Sequence, residues 1–133
     1  MLTIPKLTPE LTNEVRYYRA KAALSTHPEQ ALPDLKELAK DTRNVYGAEA
    51  KYRLAQYLYD NGQNEEAEKV LLEYIDISTP HAYWLARSFV LLSDVYVKMD
   101  RKVEARQYLL SLKQNYQADD DIEQMIETRL NSY

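Results

Sequence analysis

The sequence predicts an all-α chain built from consecutive helix pairs. Three observations carry that expectation. Only two glycines occur in 133 residues. The prolines stand near proposed helix starts, where a missing amide hydrogen costs least. Apolar residues recur at steps of three and four, the spacing of a single helical face.

Leu11, Val15, Tyr18 and Ala22 step by 4, 3 and 4 and mark a first helix, ended by His27-Pro28. Ala31, Leu35, Leu38 and Ala39 continue a second helix. Pro33 fits its first turn, where no intrahelical partner is lost. Asp41 through Gly47 forms the next break. Ala48, Tyr52, Leu54, Ala55 and Leu58 define a third helix, ended by Asn61-Gly62. Gly62 suits the left-handed position after a helix. Asn64 caps a fourth helix, whose first-turn Glu65 and Glu66 complement its positive end. Ala67, Val70, Leu71 and Tyr74 are its apolar face.

Ser78-Thr79-Pro80 separates the next pair, with Thr79 as cap and Pro80 as first helical residue. The fifth helix runs from about Pro80 to Met99 and carries Trp84, Leu85, Phe89, Leu92, Tyr96 and Val97. Asp100 is placed as cap of a sixth helix holding Val103, Ala105, Leu109, Leu110 and Leu112. Asp119-Asp120-Asp121 opens a seventh, with Ile122, Met125, Ile126 and Leu130 as its stripe. The spacing of Asp120 and Glu123 is that of a capping box.

The pairs repeat. Ala31, Leu35 and Leu38 recur as Ala67, Leu71 and Tyr74, and again as Ala105, Leu109 and Leu112. Thirteen residues before each alanine stands Tyr18, Leu54 or Leu92; nine before stands Ala22, Leu58 or Tyr96. Leu54-Ala55-x-x-Leu58 and Leu92-Ser93-x-x-Tyr96 carry the clearest match to a known pattern. The sequence resembles the tetratricopeptide (TPR) repeat, in which small residues let two helices approach and large ones fill the gap to the next repeat.

The resemblance implies a right-handed α-α superhelix of three helix pairs with a C-terminal capping helix. It implies one domain over 1–133, with repeats at about 12–45, 48–79 and 80–117 and a capping helix at about 120–131. The anchor spacings are 36 and 38 residues where the family has 34. Arg19 stands where a small residue belongs, and Lys51 where a large one does.

Composition excludes several chemistries. There is no cysteine, hence no disulfide, thiolate metal site or cysteine nucleophile. Two histidines are too few for most zinc sites. A net charge of -4, from 17 basic and 21 acidic residues interspersed, argues against a nucleic-acid binder. Glycine scarcity removes phosphate-cradling loops. The acidic run at 119–121 lacks the glycine turn of a calcium loop and is a helix cap. His27 and His81 lie at helix ends, each beside a proline, and suit turns. Nothing resembles a signal peptide or a membrane span. Absence of cysteine fits cytoplasm and periplasm alike.

In the repeat register, Tyr52, Gln56, Tyr59, Arg87, Asp94 and Lys98 fall on the groove side of the first helices, with Arg16 and Ala20 in the first repeat. The resemblance therefore implies a non-catalytic scaffold that holds a peptide or helical segment of a protein partner, with no cofactor and no metal. Two aromatic anchors flanked by both charge signs suit such a segment; ordinary half-buried packing is the competing role for Tyr52 and Tyr59. The set of Lys, Asn and Arg by which some family members clamp chaperone tails is missing. The alternative function is structural: the C-terminal end of a longer array, itself self-associating. Long bacterial members look similar in this region, with the same extended helix start at Thr79-Pro80-His81-x-Tyr83-Trp84.

Overall fold

The computed structural model describes residues 9–76 and 80–132. These residues form seven helices: α1 (Pro9–Thr26), α2 (Pro28–Leu38), α3 (Val45–Asp60), α4 (Asn64–Asp76), α5 (Ala82–Lys98), α6 (Lys102–Asn115) and α7 (Ile122–Ser132). No strand occurs among the described residues. Short connections make α1–α2, α3–α4 and α5–α6 antiparallel hairpins, and each hairpin packs on the next.

The repeated spacing is the core. Ala31, Ala67 and Ala105 are fully buried, and the residues four and seven further on are buried beside them. A side chain larger than alanine at these three points would push the paired helices apart. One cluster joins α1, α2 and α3 around Ala20, Ala31, Leu35, Leu38 and Ala50. A second spans α3 to α6 through Ala55, Ala67, Leu71, Leu92, Val95 and Ala105. A third ties α7 to α5 and α6 through Ile122 and Ile126.

The layers differ. α1, α3, α5 and α7 approach one another directly, whereas α2, α4 and α6 do not among the described residues. In a stack of hairpins, the layer whose members touch lies inside the curve and the splayed layer outside. The odd-numbered helices therefore form the inner face.

Four local expectations are corrected. First, Leu11, Val15, Tyr18 and Ala22 do not pack inward on α1; all four are exposed. The buried side of α1 is Ala20, with Tyr17, Ala23 and Leu24 partly buried against the same cluster. Turn length is the cause. Only His27 separates α1 from α2, whereas three residues separate α3 from α4 and α5 from α6. The shorter turn rolls α1, so Ala20 takes the small-residue position expected at 19. Arg19 is left outside, paired with Asp34 at 2.6 Å.

Second, Gly47 lies inside α3 and not in a break; Asn44 caps that helix by accepting from Tyr46 N–H at 2.8 Å. Third, α5 starts at Ala82 with His81 as its cap, and His81 Nε2 lies 2.7 Å from the Arg43 carbonyl oxygen. Thr79 lies outside the described residues. Fourth, Asp100 does not cap α6. It takes the left-handed conformation (φ 60°) that closes α5, as Gly62 (φ 77°) closes α3. Both turns end with the same two bonds, from Gly62 and Gln63 to Tyr59 and Leu58, and from Asp100 and Arg101 to Val97 and Tyr96.

Lys51 resolves its own anomaly. Its stem is largely buried and its ammonium reaches Glu73 of α4 at 3.3 Å, so an aliphatic chain fills the large-residue position.

Candidate functional site

The inner face carries a chain of polar and aromatic contacts that crosses from helix to helix. At its α1 end, Tyr17 donates to Glu49 of α3 at 2.7 Å, and Arg53 donates to the other oxygen of the same carboxylate. The Glu49 side chain is buried, and these two bonds satisfy it. Burial and the bond to Glu49 both push the Tyr17 phenol up.

Between α3 and α5 the centre is Arg87. Its guanidinium donates to the hydroxyls of Tyr52 at 3.2 Å and Tyr83 at 3.3 Å. Its carbon stands 5.0 Å from the Tyr52 ring, 5.9 Å from Tyr83 and 5.8 Å from Trp84. Three rings around one cation replace part of its lost hydration. Arg87 Nε is buried without a hydrogen-bond partner among the described residues. Tyr52 in turn donates to Gln56 at 3.2 Å, and Gln56 donates to Asp60 at 2.9 Å. Tyr83 donates to Asp121, just before α7, at 2.9 Å. At the far end Arg129 of α7 grips both oxygens of Asp94 at 2.8 and 2.9 Å. Tyr59 lies close by: burial raises its phenol, and the Asp94 and Asp60 charges add to that.

The six residues read from the sequence meet different fates. Tyr52 is only 7% exposed and belongs to the α3–α6 core cluster. It forms the floor of the face. Gln56 and Tyr59 are half-buried, and Lys98 is exposed at the end of α5. Asp94 is held by Arg129, so it is engaged within the chain. Arg16 and Ala20 turn away from the inner face: Ala20 is buried against α2, and Arg16 reaches Glu37 of α2. Tyr17 and Lys21 stand there instead, with Lys21 donating to Tyr17 at 3.1 Å.

Sequence reasoning missed Tyr83, Trp84, Arg53, Tyr17 and Arg129. Tyr83 and Trp84 sit four and three residues before Arg87, a spacing that puts ring and cation on one helical side. That signal was legible. Arg129 had none, because reading α7 only as a cap hides that it takes the place of the next inner helix. At 119–121, Asp121 holds the cap position, its carbonyl accepting from Met125 N–H, while Asp120 one residue earlier accepts from Ile122 N–H at 2.9 Å, so the cap lies one residue beyond the place expected from Asp120 and Glu123.

The depth of Tyr52 changes how it is tested. Tyr52→Ala is expected to lower stability by about 3 kcal/mol, as for other buried aromatic truncations. Tyr52→Phe keeps the ring and removes both hydroxyl bonds, and should cost no more than about 1.5 kcal/mol. Urea unfolding of the two variants checks this; equal losses would take Tyr52 out of the core.

The geometry defines a helical-repeat protein: antiparallel hairpins stacked into an inner and an outer layer, with buried small residues at a fixed repeat position. The family model for the tetratricopeptide repeat matches residues 48–81, which hold α4 and most of α3. The chain carries a repeat of the tetratricopeptide family and has the all-α helical-repeat fold of that family. No curated protein and no solved structure matches the chain. Repeats of this family mediate protein–protein interaction. No helix among the described residues is long and apolar enough to cross a membrane.

Proposed function

We propose that the inner face across α3 and α5 holds a peptide or helical segment of a protein partner, and that the chain acts as a non-catalytic scaffold. One observation carries this reading. Arg53 and Arg129 on this face each have a carboxylate, Glu49 and Asp94. Arg87 lies between them, half-buried, and among the described residues its hydrogen bonds go to two tyrosine hydroxyls and it has no carboxylate partner. A guanidinium so placed keeps donor capacity and uncompensated charge that an incoming carbonyl or carboxylate satisfies. Lys98, exposed at the end of the same helix, adds a second cation. Gln56 and Tyr59 supply adaptable polar contact beside them, over the floor made by Tyr52.

Peptide selection from a random library tests the reading. Selected peptides should bind the Arg87→Gln/Lys98→Ala variant at least about tenfold more weakly, the scale of one interface hot spot. The variant's melting curve should show the fold intact. Peptides that bind wild type and variant equally would remove the inner face from the function.

A further inference from the structure

α1 has two apolar sides. One packs on α2 and α3 through Ala20, Ala23 and Leu24. The other, almost opposite, is the stripe Leu11, Val15, Tyr18 and Ala22. Val15 is 47% exposed and Tyr18 59% exposed, among the most exposed large apolar residues described. Single exposed apolar residues are ordinary, but four on one helical face are not.

Two further observations point to what covers it. The buried small residues Ala20 and Ser93 set the register between α1 and α5. In that register Val15, Tyr18 and Ala22 correspond to Ser88, Leu91 and Val95, which are all buried. Leu91 and Val95 pack in the cluster that holds Ala55, Ala67 and Leu71 of the preceding hairpin. This side of a first helix is therefore a helix-packing surface elsewhere in the chain.

The stripe is also self-complementary. An antiparallel pairing of α1 with itself, centred between Arg16 and Tyr17, sets Val15 against the partner's Tyr18 and Leu11 against the partner's Ala22. Each large residue meets one of different size. Glu14 and Lys21 lie seven residues apart on one edge of the stripe. Like edges meet in an antiparallel two-fold pair, so Glu14 comes beside the partner's Lys21, offset by about 3 Å along the axis. Neither has an ion-pair partner within the chain among the described residues: Lys21 bonds a tyrosine hydroxyl, and Glu14 makes no salt bridge.

We infer that α1 is a homodimer interface, in which two copies pack their Val15–Tyr18 stripes antiparallel about a two-fold axis. This goes beyond the inner-face reading and does not depend on it, because it uses neither Arg87 nor Lys98. From residue 11 to residue 22 the helix is about 17 Å long. That is short for an interface of standard size, so the dimer is reversible and concentration-dependent.

Sedimentation velocity on the whole chain across a wide concentration range tests it. Wild type is expected to shift from monomer to dimer. Val15→Glu/Tyr18→Glu should abolish the dimer and, at concentrations where the wild type is monomeric, leave the melting temperature unchanged, because both positions are exposed in one copy. Glu14→Lys should weaken dimerisation by setting lysine against lysine, and Glu14→Lys/Lys21→Glu should restore it. Several results would overturn the inference. One is a wild type monomeric throughout, as expected if this side packs only beneath another helix pair. Another is a dimer indifferent to the stripe variants, which would use another surface. A monomer whose stripe variant melts lower than wild type would give the stripe to another segment of the same chain. A dimer lost with the stripe but unmoved by the charge swap would refute the antiparallel register.

Discussion

Gly47→Ala is expected to lower stability by about 3 kcal/mol or more, through strain and overpacking at a close backbone contact. A methyl group built on Gly47 would stand 1.8 Å from the Asp41 carbonyl oxygen and 2.6 Å from that of Leu38. Both are backbone atoms, in and just before the α2–α3 connection, so no side-chain rotation relieves the clash. Relief requires the end of α2 to move off the first turn of α3, which opens the cluster around Leu38 and Ala50. Helix propensity pulls the other way, since alanine exceeds glycine by about 1 kcal/mol in a helix interior. Sterics win, because a contact more than 1 Å inside van der Waals distance is far steeper than a propensity difference. For a domain of this size the loss is about 10 °C in melting temperature. Gly62→Ala is the control. Gly62 is left-handed but has no heavy atom within 4 Å of a built methyl, so only backbone strain of about 1–2 kcal/mol is expected. Melting curves for the two variants decide it. A Gly47→Ala protein as stable as Gly62→Ala would show that the two helices are not in that contact.

Ala105→Arg should abolish cooperative folding or come close to it. Ala105 is fully inaccessible and sits among Leu92, Tyr96, Ala67 and Leu71, where α4, α5 and α6 meet. A carboxylate stands at its edge, Glu68 at the Tyr96 hydroxyl, and it is already paired with Arg101 at 3.1 Å. A guanidinium forced there loses its water and must compete with Arg101 for that carboxylate, a cost of several kcal/mol after relaxation, and its bulk adds overpacking. Those costs together rival the stability of an ordinary domain. Val103→Arg places the same side chain two residues earlier on α6, at a position 71% exposed. It should move stability by no more than about 0.5 kcal/mol. Circular dichroism with urea titration separates the two, and an Ala105→Arg protein with an unchanged midpoint would take Ala105 out of the packed interface.

Both predictions bear on how far the sequence could be read. The alanine at 105 was legible. It repeats at 31 and 67 with the same large residues four and seven places on, and the physical demand is local to one helix pair. Gly47 was not. In the sequence it marks the edge of a break, and nothing nearby reveals that two carbonyl oxygens of another segment occupy the space of its missing side chain. Lys51 and Arg19 show the same division. Each departs from the repeat pattern, and each departure has a non-local answer: Glu73 beside Lys51, and a rolled α1 that brings Ala20 into the place of Arg19.

The proposed binding face divides similarly. Tyr52, Gln56, Tyr59, Arg87 and Lys98 share one side of the inner helices, as helical spacing dictates. Periodicity gives the direction in which a side chain points, but not how deeply the next helix covers it. Tyr52 is sealed by Trp84 of α5, at 5.7 Å between rings. Asp94 is claimed by Arg129 from a helix thirty-five residues away.

The sequence by itself determined that this protein is an all-α chain of helix hairpins, roughly where the helices end, and that Ala31, Ala67 and Ala105 sit at the crossings. These follow from a period of 3.6 residues and from the sterics of glycine, proline and alanine, which act over a few residues of chain. The tertiary structure alone decided which side of α1 faces the core, which charges on the inner face are paired, and which cation is left with hydroxyls only. Those depend on the length of a turn and on the identity of the neighbouring helix, and both reach a residue only through space.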